Sequence, residues 1–186
     1  MNRIQQVFEN KKAFIPFITA GDPDLSVTEA LVPAMAEAGA DLIELGIPFS
    51  DPVAEGIVIQ EADLRALASG TTTDKIFDTV RRIRQKTDVP LAFMTYINPV
   101  FAYGVDKFMK NAADCGIDAL IVPDMPFEER EELLPACKKI RYDPDISGGS
   151  HIQGTGPGHS QGIRWICVLC IISWSHWRPK RDYHQY

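Results

Sequence analysis

Two carboxylates stand close together in the segment DLIELGIPFSDPVAEG, which spans Asp41–Gly56. Glu44 lies in a short apolar run typical of a buried strand, where glutamate is an unusual residue. Glu55 follows in a loop that is broken by proline and glycine. A carboxyl group held against apolar surroundings has a raised pKa, which suits it to give and take protons near neutral pH. Two carboxylates of different burial could therefore move protons at two places on one substrate.

The segments around this pair alternate between strand-like and helix-like patterns. Four short apolar runs lie in AFIPFIT, ADLIELGI, VPLAFMTYI and IDALIVPD, and a segment of helical periodicity follows each of them. Ser26 is predicted to cap the first of these helices. Apolar strands that alternate with helices are typical of a parallel sheet covered by helices. A doubly wound sheet and a barrel both fit, but no glycine fingerprint of a dinucleotide-binding fold follows the first strand.

Polar side chains recur where the predicted strands end. Thr19 ends the first strand, Glu44 the second and Asp124 the fourth, while Tyr96 lies near the end of the third. The carboxyl ends of parallel strands meet on one face of the fold, and such folds build their sites there. The sequence therefore predicts a functional site on this face.

Composition limits the possible partners. The chain has 186 residues, of which 45% are apolar and 24% charged, with a formal net charge of −6. A surface for nucleic acid would need a basic stripe, which this balance does not favour. No apolar run reaches the roughly 18 residues of a membrane span, and the first residues do not resemble a signal peptide. We expect a cytoplasmic protein that acts on a small molecule and binds no nucleic acid, membrane or metal.

The composition changes abruptly near Ile140. All four histidines and all three tryptophans lie after this residue, whereas no alanine and no glutamate does. The net charge is about −8 up to Ile140 and about +2 after it. We therefore divide the chain into residues 1–140 and an aberrant tail, residues 141–186, for which no regular fold is expected.

Four segments identify a family. FIPFITAGDPD, AGADLIELGIPFSDPVAEG, MTYINPVFAYGVDKF and GIDALIVPDMPFEE resemble the tryptophan synthase alpha subunit, in order, over residues 1–140. The resemblance implies a (βα)8 TIM barrel, which is an α/β fold. Only the first four βα units of such a barrel can be recognised in this chain. A complete barrel takes about 250 residues.

The resemblance also implies an activity. Members of the family are lyases of tryptophan biosynthesis that cleave indole-3-glycerol phosphate by a retro-aldol reaction to indole and glyceraldehyde 3-phosphate. It implies that Glu44 moves the protons at indole C3 and at the glycerol hydroxyl. Glu55, which is commonly aspartate in the family, would accept a hydrogen bond from the indole N–H. Phe17 and Tyr96 would line the indole pocket as substrate-binding residues.

A partner follows from the same resemblance. The family acts as an alpha2beta2 complex, in which indole passes through a tunnel to a beta subunit. Pyridoxal phosphate belongs to that beta subunit, so no cofactor is expected on this chain. Asp51, Pro52 and Asp124 would belong to the subunit contact or to the mouth of the site.

Residues 1–140 lack the later strands, whose glycine-rich loops hold the substrate phosphate in the family. Three interpretations follow. The first is an enzyme, the lyase alpha subunit, from which little or no activity is expected as written. The second is a non-catalytic remnant that only contacts a beta subunit, and the third is a different phosphate-binding barrel. The third covers relatives of indoleglycerol-phosphate synthase or phosphoribosylanthranilate isomerase, and the segment around Glu44 argues against it.

A shifted reading frame would explain the tail. Tryptophan has the single codon TGG, so a frame moved forward by one base reads glycine at each tryptophan. Trp165, Trp174 and Trp177 would give glycines nine and then three residues apart. The family's sixth strand and its loop resemble GFVYxVSxxGVTG, which has the same glycine spacing. We therefore predict that the tail is the family's C-terminal half translated in the wrong frame.

Overall fold

The computed structural model of the chain describes residues 3–8, 12–139 and 166–168. Five parallel strands form one sheet in the order of the sequence. They are β1 (Phe17–Thr19), β2 (Ile43–Gly46), β3 (Leu91–Met94), β4 (Ala119–Ile121) and β5 (Ile166–Val168). The helices are α1 (Arg3–Val7), α2 (Leu25–Glu37), α3 (Ile57–Ala68), α4 (Thr73–Ile83), α5 (Ile97–Tyr103), α6 (Val105–Cys115) and α7 (Leu134–Lys139), with a 3₁₀ helix over Phe127–Glu132.

The ends of α4 follow directly from its sequence. The Thr72 hydroxyl accepts a hydrogen bond from the Lys75 N–H at 3.4 Å, which satisfies one of the unpaired donors of the first turn. Asp74 lies in the first turn and two arginines lie in the last, as the helix dipole favours. The helix buries Ile76, Phe77, Val80 and Ile83 along one face. Residues within one turn of each end thus account for where this helix begins and ends.

The start of α2 corrects the prediction that Ser26 is the cap. The cap is Asp24, whose backbone is extended and whose carboxylate accepts hydrogen bonds from the Ser26 N–H at 2.8 Å and the Val27 N–H at 3.1 Å. Ser26 lies inside the first turn, and its hydroxyl also donates to Asp24 at 2.6 Å. Aspartate is as good a cap as serine, so the residue with the extended backbone takes the role.

The two faces of the sheet bury different clusters. On the outer face Ile43, Leu45 and Phe93 pack with side chains of the helices in the larger apolar cluster. On the inner face Leu42, Ala92 and Ala119 pack with Ile4 and Val7 of α1. A sheet with helices outside and a second apolar layer inside is the arrangement of a barrel wall.

The register of the strands sets the level of the candidate residues. Phe17 of β1 is paired with Glu44 of β2, which is paired with Ala92 of β3, and Ala92 with Ala119 of β4. The sequence indicated that Glu44 ends its strand. In the structure it is the second of the four residues of β2. Because side chains alternate along a strand, Glu44 shares the inner face with Leu42.

Part of the tail joins the sheet. Ile166–Val168 pairs in parallel with β4, with Ile166 opposite Ala119 and Val168 opposite Ile121. This strand departs from the expectation that residues 141–186 have no regular structure, because an open parallel edge offers unpaired backbone groups to any extended segment. The boundary at Ile140 and the rest of the tail lie outside the described residues and stay predictions. None of the helices in the described ranges is long and apolar enough to cross a membrane.

Candidate functional site

Glu44 presents a carboxylate to the inside of the sheet. It is half-buried, and burial raises the pKa of its carboxyl group. The residue paired with it on β3 is Ala92, whose side chain is a single methyl group. Among the described residues no side chain is hydrogen-bonded to the Glu44 carboxylate. A carboxyl group with a raised pKa and no structural partner is available to exchange protons with a bound molecule.

Phe17 is paired with Glu44 on the adjacent strand, and Gly46 leaves room for its ring. A Cβ atom added at Gly46 would lie 2.5 Å from the Phe17 Cζ atom, so a larger residue at the end of β2 would displace the ring. The half-buried Phe17 ring thus lies over the end of β2, the strand that carries Glu44. The structure brings together this predicted pocket residue and the predicted proton carrier.

Glu55 is tied to Tyr96, 41 residues later in the chain. The Tyr96 hydroxyl donates a short hydrogen bond to the Glu55 carboxylate and accepts one from the Ala54 N–H at 2.8 Å. Burial, followed by the hydrogen bond to Glu55, raises the pKa of Tyr96 to about 12, so the phenol stays protonated and can keep donating. Tyr96 is almost fully buried and therefore also holds the loop that carries Glu55.

The loop between β2 and α3, residues 47–56, is called the acid loop here. Its Phe49 ring packs against the Tyr96 ring with centroids 5.6 Å apart. Asp51 is exposed and accepts a hydrogen bond from the Ser50 hydroxyl at 2.6 Å, and Pro52 is half-buried. These positions leave Asp51 accessible to a partner, but nothing in the structure assigns it or Pro52 a role.

Asp124 has a structural contact that the sequence did not suggest. Its carboxylate accepts a hydrogen bond from the Ile97 N–H at 2.9 Å, which satisfies a donor at the start of α5. It follows β4 by three residues and links the loops after β3 and β4. Its predicted place at the subunit contact or site mouth stays a prediction.

Asp63 was missed by the sequence interpretation. It lies on α3 and is 4% exposed, yet it is a carboxylate. Its two oxygens accept hydrogen bonds from the Thr19 hydroxyl and from the Phe49 N–H, both at 3.5 Å. The sequence contained a signal for this buried acid: Asp63 lies one helical turn after Ile59 and next to Ala62, on the apolar face of the helix.

A separate groove of about 560 Å³ lies between the start of α6 and α7, and none of the predicted site residues lines it. The charges of two of its lining residues, Lys139 and Asp106, are paired at 2.6 Å. Among the described residues no group of three or more histidine, cysteine, aspartate or glutamate side chains could hold a metal ion.

Comparison with known proteins decides the family. The profile of the family "Tryptophan synthase alpha chain" matches residues 4–144. This chain belongs to the tryptophan synthase alpha chain family.

Two curated alpha chains show the extent of the likeness. The alpha chain of Lacticaseibacillus casei is 51% identical over 143 residues, which are 77% of this chain and 54% of the relative. The alpha chain of Citrifermentans bemidjiense is 53% identical over 181 residues, which are 92% of this chain and 68% of the relative. This chain thus spans about half the length of the Lacticaseibacillus relative.

Solved alpha subunits share the fold. The subunit from Legionella pneumophila has a TM-score of 0.73 at 39% identity, over 80% of this chain and 59% of that one. A structure from Pyrococcus furiosus, described as a tryptophan synthase a2b2 complex, has a TM-score of 0.66 at 36% identity, over 73% and 56% of the two chains. The α/β fold predicted for this alpha chain, the first four βα units of a TIM barrel, is confirmed.

The alignment with the Citrifermentans relative bears on the tail. A match to 92% of the 186 residues must extend past Ile140, wherever it begins. In that pairing part of the tail is therefore aligned with an alpha chain in the frame as written. The shifted frame stays a prediction, which only the nucleotide sequence tests.

Proposed function

We propose that residues 1–140 carry the proton-transfer half of an alpha chain site that cleaves indole-3-glycerol phosphate to indole and glyceraldehyde 3-phosphate. The observation that supports this most is the Glu44 carboxyl group, which is half-buried on the inner face of the sheet, has a raised pKa and is hydrogen-bonded to no side chain of the described residues. The residues paired with it on the two adjacent strands are Phe17, an aromatic residue, and Ala92, a small one.

In this proposal Glu44 carries both proton transfers. The protonated carboxyl group donates its proton to indole C3, which makes the ring an electron acceptor. The ionised carboxylate then takes the proton of the adjacent glycerol hydroxyl. The electrons of that O–H bond form the aldehyde carbonyl, and those of the broken C–C bond return to the indole ring. One carboxyl group ends as it began, so no metal and no Schiff base are needed.

Glu55 supplies the charge that this step requires. Protonation at C3 places positive charge on the indole nitrogen, and a carboxylate that accepts the N–H hydrogen bond stabilises that charge. The contact with Tyr96 fixes one end of the Glu55 carboxylate. Glutamate is one methylene longer than the aspartate common in the family and carries the same charge.

The partner in this proposal is a beta subunit, which would carry pyridoxal phosphate while the alpha chain carries no cofactor. Three apolar side chains on and after the acid loop are strongly exposed: Val53 at 79%, Ile57 at 71% and Val58 at 71%. We assign the contact with the partner to these exposed apolar side chains. A pull-down with a beta subunit tests this contact, and it also tests the second candidate function, a remnant that binds the partner without catalysis.

The chain as written is expected to release little or no indole, because the phosphate-binding loops that follow the later strands cannot be recognised in its sequence. The comparison uses a completed barrel, in which residues 1–140 are followed by the C-terminal half of the Lacticaseibacillus relative. We expect indole release from indole-3-glycerol phosphate by the completed barrel and only background release by the 186-residue chain. Turnover by the 186-residue chain near that of a full-length alpha chain would contradict this.

The reading-frame proposal predicts a specific nucleotide sequence. Read one base forward past Ile140, the gene should encode the remaining alpha chain strands, with glycine at the positions of Trp165, Trp174 and Trp177. Sequencing the gene checks this directly. A stop codon or an unrelated sequence within the first twenty shifted codons would show that the tail is a genuine extension.

A further inference from the structure

Asp63 is a buried carboxylate to which the proposed reaction gives no role. It lies where three segments meet: its own helix α3, the end of β1 through the Thr19 hydroxyl, and the acid loop through the Phe49 N–H. A charge at such a place costs free energy unless it is compensated.

The charges around Asp63 do not compensate it. On the acid loop its charged neighbour is Glu55, and beyond the end of β1 it is Asp22, both of the same sign. On α3 the nearby cation, Arg65, is engaged by Asp22 through two hydrogen bonds of 2.7 and 2.8 Å. Burial first, and then the Glu55 and Asp22 charges, raise the pKa of Asp63 to about 6. The group therefore changes charge close to neutral pH.

We propose that Asp63 is a positioning residue for the acid loop, which it anchors through the Phe49 N–H in a manner that depends on its protonation. Its role towards Glu55 rests on the proposed function, whereas its hold on the loop does not. The ionised carboxylate is the stronger acceptor for Phe49, because a charge-assisted hydrogen bond is about twice as strong as a neutral one. Phe49 packs on Tyr96, and Tyr96 holds Glu55, so the anchor acts on the proposed catalytic carboxylate through two contacts.

The direction of the pH effect follows from these contacts. Above about pH 6 Asp63 is ionised and its hydrogen bond from the Phe49 N–H is the stronger one. Below about pH 6 the carboxyl group is neutral and the same hydrogen bond is weaker. The difference between the two kinds of hydrogen bond corresponds to about a fivefold change in local opening.

Amide hydrogen exchange of the full 186-residue chain tests this proposal without any substrate. Exchange of peptides covering residues 47–56, corrected for intrinsic rates, should rise about fivefold as the pH falls through about 6. Exchange in β2 and β3 should show no such step, which separates local loosening from unfolding. Asp63→Asn should remove the step and hold the loop at the faster rate at every pH.

Two further variants keep the result decisive. Glu61→Gln changes an exposed acid on the same helix and should leave the step unchanged. Glu55→Gln removes a neighbouring negative charge and should move the step to lower pH. A step that survives Asp63→Asn, or its absence from the unmodified chain, would overturn the proposal. A step without indole release by the completed barrel would instead count against the proposed function alone.

Discussion

Glu44→Gln in the completed barrel is expected to lower kcat for indole release by about 10²–10⁴-fold, the usual contribution of a general acid and base. Glutamine keeps the size of the side chain and removes its proton chemistry. Because the first step needs a protonated carboxyl group, activity should fall as the pH rises through the pKa of Glu44, which burial raises. Initial rates of indole formation between pH 5 and 9 measure both effects.

A matched control is available on the same chain. Glu37 is an exposed acid at the end of α2, and Glu37→Gln should leave kcat and its pH profile unchanged. If Glu44→Gln retained more than a tenth of the parent kcat, Glu44 would not be the proton carrier, and the proposed mechanism would be wrong.

Asp118→Ala is expected to cost about 3–5 kcal/mol of unfolding free energy, because it leaves a largely buried arginine without its counter-charge. The side chains of Arg84 and Asp118 are 12% and 7% exposed and are paired at 2.5 Å. Arg84 also donates to the carbonyl oxygens of Val89 at 2.5 Å and Gly116 at 2.9 Å, and Asp118 accepts from the Leu91 N–H at 3.0 Å. One ion pair thus joins α4, α6 and the starts of two strands.

Burial raises the pKa of Asp118, and the neighbouring arginines Arg84 and Arg3 oppose this shift. The carboxylate therefore depends on these cations to stay ionised, and the cations depend on it. Urea unfolding of the completed barrel, followed by circular dichroism, measures the loss. Asp78→Ala breaks the exposed pair of Asp78 and Arg81 and should cost no more than about 0.5 kcal/mol. A cost below 1 kcal/mol for Asp118→Ala would show that the buried pair contributes little.

Local chemistry made several elements predictable. The threonine cap and terminal charges of α4 act within one turn, so four or five consecutive residues contain the whole signal. The alternation of apolar strands and helices predicted the parallel sheet, because buried parallel strands must be apolar on both faces. Glu44 was identifiable for the same reason: a charge in such a strand conflicts with its surroundings.

Contacts between distant segments were not predictable in the same way. Asp24 and not Ser26 caps α2, since the path of the chain after β1 decides which residue is extended. Tyr96 was expected to line a pocket, and its hydroxyl holds the acid loop as well. The strand at Ile166–Val168 joins β4 because an open edge accepts an extended segment, which its own sequence does not reveal.

The sequence by itself determined the family, the order of the βα units and the presence of Glu44 in an apolar strand, because these depend on residue type and short-range spacing. Only the tertiary structure decided which side chains meet. Thr19 and Asp63 are 44 residues apart and Glu55 and Tyr96 are 41, so their hydrogen bonds form only when the sheet brings the strand ends together. The buried charge of Asp63 and the anchoring of Glu55 are properties of that packing, since burial and neighbouring charges, and not residue type, set a pKa.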